Sequence, residues 1–205
     1  MLFLHLINGM NYLAHLVLSG KNEDVLFGNF IADAVKGKEY KKFNASIQKG
    51  ILLHRFIDDF TDHHPKCLAG KRRMYAKLPK VSGILLDILY DHILLKNWEK
   101  YFSIEPDKFI NSSYELLDAK IEHMPERISY MYHYMRKDNW LINYQYEWGL
   151  YRSIAGIEKR ITPTINLEAF KLLFNENRVA YFSEFDAFFP DILEKSKAFL
   201  ETPST

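Results

Sequence analysis

Residues 82–98, SGILLDILYDHILLKNW, are apolar on almost every side of a helical wheel, and only Asp87, Asp91 and His92 interrupt the pattern before the closing turn. A helix with no polar face has no side to offer to water, so it belongs in the middle of a helical bundle. A carboxylate there is costly unless it is hydrogen-bonded, paired with a base or bound to a cation. Asp87 and Asp91 are separated by four positions and so face one way, with His92 about a quarter turn round. A salt-bridged core helix and metal ligation are both compatible with this pattern.

Working outward, residues 50–65, GILLHRFIDDFTDHHP, form a two-faced helix. Thr61, His54, Asp58, Ile51, Asp62, Arg55 and Asp59 fall within slightly less than half the circumference, and Leu52, Phe56, Phe60, Leu53 and Ile57 take the rest. His54 and Asp58 are one turn apart and meet on one side, where imidazole and carboxylate make usable N and O ligands; a solvated face carrying a His–Asp pair is the alternative. Towards the N-terminus, His15 lies in MNYLAHLVLSG and Asp33 in VLFGNFIADAVKG, with Asn29 one turn before Asp33 on its side. Four segments thus carry His or Asp where their neighbours are apolar, and a bundle lets such residues converge. A donor set without thiolate suits Mn²⁺, Mg²⁺ or Fe²⁺, ions that neutralise phosphoryl oxygens and lower the pKa of bound water.

The rest of the chain reads as helix with little strand-like alternation. Helices are expected over 11–18, 23–36, 45–61, 70–78, 82–98, 107–123, 126–135, 140–160 and 167–188, with a short one after Pro190. No repeat or flexible linker breaks the chain, so residues 10–205 are expected to form one all-α domain, with 1–9 as an N-terminal extension and either Met1 or Met10 as the natural start. A 205-residue chain that is 48% hydrophobic can bury its own core. The lone Cys67 excludes an intramolecular disulfide and a thiolate zinc site, the N-terminal stretch lacks the basic region of a signal peptide, and no run is long enough to span a membrane, so a cytoplasmic location is expected. A formal net charge of +1 gives no sign of a nucleic-acid binder. The aromatic stretch 130–151 suits packing better than base stacking, because basic residues do not track it. Charge is nonetheless uneven: residues 63–86 contain no acid but hold Lys66, Lys71, Arg72, Arg73, Lys77 and Lys80, and Lys36, Lys38, Lys41 and Lys42 form a second cluster. Either could attract an anionic partner or simply be a solvated face.

Taken together, MNYLAHL from Met10, GNFIAD from Gly28, HRFIDDFTD from His54 with Pro65 behind it, LYDHIL from Leu89, NWL from Asn139, and then Tyr144, Gly149, Gly156 and Arg160 resemble the acyl carrier protein phosphodiesterases. That family is regarded as a divergent relative of the HD-domain metal phosphohydrolases, so the resemblance implies an HD-domain-like all-α bundle. It further implies a phosphodiesterase that converts holo acyl carrier protein to the apo form and 4′-phosphopantetheine, with Mn²⁺ the expected cofactor and acyl carrier protein the macromolecular partner. Carried over, it implies Asp33, His54, Asp58 and Asp91 as metal ligands and Asp62, Asp87, His92 and His15 as supporting or acid/base groups, with Asp33 also catalytic. Arg55 is the expected phosphate contact, since its planar fork suits a phosphoryl group. Lys71, Arg72 and Arg73 are the expected contacts to the acidic protein. The adjacent His-Asp pair of the HD relatives is absent, since His54 is followed by Arg55. Rival readings are a hydrolase of a nucleotide or other small phosphodiester, and a helical binding protein without activity.

Overall fold

The computed structural model describes residues 12–158 and 165–202; the extension 1–9, Asn11 and Arg160 lie outside them. The architecture is an all-α bundle, with no strand among the described residues. Its helices are α1 (Tyr12–Leu18), α2 (Glu23–Ile31), α3 (Ala45–His63), α4 (Pro65–Tyr75), α5 (Ser82–Lys96), α6 (Pro106–Ala119), α7 (Glu126–Lys137), α8 (Trp140–Asn143), α9 (Glu147–Glu158) and α10 (Leu167–Glu201).

Local chemistry sets the starts. Asn22 accepts from the N–H of Asp24 and Val25 at the head of α2, and Asn44 accepts from Ile47 N–H at the head of α3. His64 accepts from Lys66 N–H, and Pro65 stands in the first turn of α4. That cap starts α4 several residues before the expected 70–78. The helix expected over 140–160 is divided into α8 and α9 by a tight turn, in which the main chain at Gly149 approaches Asn143 O so closely that a Cβ would sit 2.0 Å from it. Pro190, expected to break the last helix, lies inside α10, and the non-helical residue is Asn177. Pro190 is exposed, so its ring stands on the solvent side of the helix.

α5 is buried on all sides, from Leu85 through Leu95 with Asp87 alone partly open, and contacts α1, α4, α9 and α10. The crossing that matters most for the site is α2 against α3. A Cβ at Gly28 would lie 2.2 Å from Ile47 O, and one at Gly50 would lie 2.1 Å from Val25 O. The two main chains therefore touch directly, a contact only glycine allows. Beyond α2 the chain tightens into a 3₁₀ turn, Ala32–Ala34, in place of helix to Lys36. Arg55 on α3 then holds the next segment, donating to Val35 O and Gly37 O at 2.8 Å each, and Gly37 takes φ +50° there.

Candidate metal centre

The α2–α3 contact places Asn29, next to Gly28, between two imidazoles. His15 Nδ1 and His54 Nδ1 lie 2.8 Å and 3.0 Å from Asn29 Oδ1. The amide orientation is fixed by its other end, since Asn29 Nδ2 donates to His15 O at 3.0 Å and to Ser19 Oγ at 2.9 Å. Ser19 Oγ in turn donates to His15 O at 2.7 Å. Oδ1 can only accept, so both Nδ1 atoms carry protons. Both Nε2 atoms then point the other way. They are buried without a hydrogen bond, and the rings stack at 4.1 Å between centroids and 24° between planes.

What the Nε2 atoms face are carboxylates. His15 Nε2 is 3.2 Å from Asp58 Oδ1, and His54 Nε2 is 3.3 Å from Asp58 Oδ2 and 3.4 Å from Asp33 Oδ1. The ligand atoms of His15, His54 and Asp58 all lie within 4.8 Å of one another. Neutral imidazole nitrogens aimed at carboxylate oxygens set lone pairs against lone pairs, an arrangement relieved by a proton or by a metal cation. Without a cation the proton goes to His54: burial pushes its pKa down, but Asp33 and Asp58 outweigh that and raise it to about 10. His15 moves the opposite way, lowered by burial and by the neighbouring His54. Asp58 falls below the usual carboxylate range, because pairing with both histidines overcomes its burial. The histidines are 3% and 5% exposed, Asp33 12% and Asp58 40%, so the cluster opens to solvent on the Asp58 side. Two Nε2 donors oriented from behind by one amide, facing two carboxylates, fit a hard or borderline divalent ion.

Of the ligands expected from the sequence, His54, Asp58 and Asp33 are brought together, and Asp91 is not. Asp91 Oδ2 and Oδ1 accept from Leu13 N–H at 3.0 Å and Ala14 N–H at 2.9 Å, so this buried carboxylate caps α1. Burial raises its pKa well above the ordinary value against the pull of those two N–H groups. His15, expected only as a supporting group, faces Asp58 directly. Asp87 is raised to about 8 by burial, with Lys71 opposing and the charges of Asp58, Asp62 and Asp33 adding to the rise. His92 lies apart: its Nδ1 donates to Tyr144 O at 2.6 Å, and its charged neighbours are Lys96, Glu147 and Arg178, none of them in the cluster. Asp62 is exposed and pairs with Lys71 at 2.5 Å.

The expected substrate contacts are also largely engaged. Arg55 spends both terminal nitrogens on the main chain and lies over the Tyr40 ring. Arg73 makes a two-pronged pair with Glu184 at 2.8 and 2.6 Å, and Arg72 alone of the three expected partner contacts is exposed with no ion pair among the described residues. Asn29 is the functional residue that sequence reading undervalued. Its signal was present as a polar side chain one turn before Asp33 in an apolar helix, but an amide gives no hint of what it holds.

The chain is thus an all-helical protein built round a histidine–carboxylate centre of the kind that binds divalent metal. It belongs to the acyl carrier protein phosphodiesterase family, whose model matches residues 10–192. An acyl carrier protein phosphodiesterase of Photorhabdus laumondii is 30% identical over 193 residues, covering 92% of this chain and 96% of that protein. One from Serratia proteamaculans is 28% identical over 92% of this chain and 98% of its own length. One from Pectobacterium atrosepticum is 32% identical over 66% and 70%. No solved structure matches the chain.

Proposed function

We propose that this chain hydrolyses the phosphodiester joining the 4′-phosphopantetheine arm to a serine of holo acyl carrier protein, using a divalent cation held by Nε2 of His15 and His54 and by the carboxylates of Asp58 and Asp33. The family supplies the substrate. The observation that carries the chemistry is Asn29 Oδ1 taking both Nδ1 protons, which turns both Nε2 lone pairs towards the carboxylates. Mn²⁺ is the preferred ion, with Mg²⁺ and Fe²⁺ as the alternatives this N/O donor set admits. When bound, the ion supplies charge to the phosphoryl oxygens and acidity to a water. Asn29 holds the two imidazoles in one tautomer, and burial keeps the ligand atoms dry except on the Asp58 side.

The reading further takes residues 10–205 as one HD-domain-like domain in the cytoplasm. Among the described residues no helix is long and apolar enough to cross a membrane. Incubation of the purified protein with holo acyl carrier protein and Mn²⁺, followed by intact mass, should show loss of the arm, and chelator should prevent it. Hydrolysis of a small phosphodiester with the protein substrate left intact would favour the small-molecule reading.

A further inference from the structure

The two basic clusters differ in how much charge they leave free. On α4, Lys71 is paired with Asp62 at 2.5 Å, Arg73 with Glu184 at 2.6 Å and Lys77 with Glu176 at 3.9 Å. Only Lys66, Arg72 and Lys80 of that cluster form no ion pair among the described residues. The segment 36–42, KGKEYKK, carries four lysines against one glutamate, and all four lysines are exposed with no ion pair among the described residues.

This segment is also held in place beside the cluster. It begins three residues after Asp33, so the Lys36 Cα lies within about 11 Å of the Asp33 Cα whatever the path. Arg55, the residue after His54, ties down Val35 O and Gly37 O and lies 5.4 Å from the centre of the Tyr40 ring. Phe43 N–H closes the turn on Tyr40 O at 3.1 Å, and Gln48 Nε2 donates to Phe43 O at 2.8 Å. A braced backbone loses little freedom on binding.

Resting on the function proposed above, we propose that residues 36–42 are the docking surface for the acidic protein that carries the phosphodiester. The four unpaired lysines attract it, and their place beside the cluster brings the carried phosphodiester towards the opening. Neither a stacking surface nor an apolar one accompanies the lysines: the single ring within the segment, Tyr40, is partly buried beneath Arg55. That favours an acidic protein over a nucleic acid or a lipid surface.

The test is binding of fluorescently labelled apo acyl carrier protein, read by anisotropy across a salt series, so that turnover is not needed. Three proteins are compared: the full chain, the variant K36E/K38E/K41E/K42E, and the variant K66E/R72E/K80E on α4. The loop variant should bind about tenfold or more weakly near 0.15 M salt and lose most of the salt dependence, whereas the α4 variant should stay close to wild type. The neutral variant K36Q/K38Q/K41Q/K42Q should fall between the two. It serves as the judge if melting shows the reversed loop misfolded. Unchanged binding by the loop variants, a larger loss on α4, or no binding by the wild type overturns the proposal. Loop-dependent binding of a single-stranded oligonucleotide or of phosphatidylglycerol vesicles in place of the protein overturns it too. Loop-dependent binding of the apo protein without cleavage of the holo form would leave the surface standing and remove the activity.

Discussion

Replacing Asn29 with Ala removes one side chain and leaves four partners behind: the two Nδ1–H groups, at 2.8 and 3.0 Å, lose their acceptor, and His15 O and Ser19 Oγ lose a donor, at 3.0 and 2.9 Å. With the acceptor gone, each imidazole is free to rotate or change tautomer, and the pair of Nε2 lone pairs is no longer pre-set. Loss of such an orienting partner costs roughly 10–100-fold in metal affinity, or about 1.4–2.7 kcal/mol. The metal-free protein is also destabilised, since each buried group left unsatisfied costs about 1–3 kcal/mol and neighbouring losses do not add. Asn29→Asp separates the two effects. Its carboxylate still accepts from both Nδ1–H groups, but its second oxygen meets the carbonyl of His15, so it should bind metal better than the Ala variant while still melting lower than wild type. Calorimetric titration of the metal-free proteins with Mn²⁺, alongside thermal melts, reads both quantities. Mn²⁺ affinity in Asn29→Ala within threefold of wild type would refute the argument that this amide orients the ligands.

In the metal-free protein His54 is raised to about 10 from 6.5, so the folded state holds the proton more tightly than the unfolded one. The stabilisation is fully present below about 6.5 and is lost as pH climbs through 10; metal must displace that proton, so Mn²⁺ affinity should rise with pH across the window with proton release seen in buffers of different ionisation enthalpy, and a flat profile would count against it. Asp91→Asn puts an amide N–H₂ or a single oxygen against two main-chain N–H groups, so melting should fall by the equivalent of about 1–3 kcal/mol, while at saturating Mn²⁺ the folded variant still loads metal; a stable variant that never loads would restore Asp91 as a ligand. Gly28→Ala should destabilise by about 1–3 kcal/mol because its Cβ meets main chain, whereas Gly156→Ala, with open space within 4 Å, should be neutral or stabilise α9 by up to about 1 kcal/mol, as equilibrium denaturation would report.

The fold class was legible because it depends on periodicity: α5 is buried all round, and α3 carries His54 and Asp58 on one face. The one-turn pair on α3 was readable for the same reason, since both residues lie in a single segment. Long-range geometry was not readable. Asp91 looked like a ligand because any acid in an apolar helix needs a partner, and the partner it has, the head of α1, lies 78 and 77 positions away in sequence. His15 was expected only as a supporting group for the converse reason: nothing within its own helix announces Asp58. Arg55 has the fork a phosphate would use, but the same fork fits two carbonyls, and only the path of the chain after Asp33 decides between them. Helix ends were missed between Asn143 and Gly149, where the chain makes a tight turn inside one periodic stretch, and at Pro190, which the exposed side of α10 tolerates.

The close approach of α2 and α3 at Gly28 and Gly50 divides the site into unequal parts. Asn29, Asp33, His54 and Asp58 ride on two segments whose main chains are pressed together, whereas His15 rides on a seven-residue helix. So short a helix has no stability of its own and persists through what holds it: the Asp91 carboxylate, the Asn29 amide and its packed apolar side chains. Local unfolding should therefore begin at α1, taking one ligand away and leaving the others in place. On the metal reading proposed above, the opening of α1 is the step that loosens the ion's hold, and amide exchange along α1 should quicken when the ion is removed.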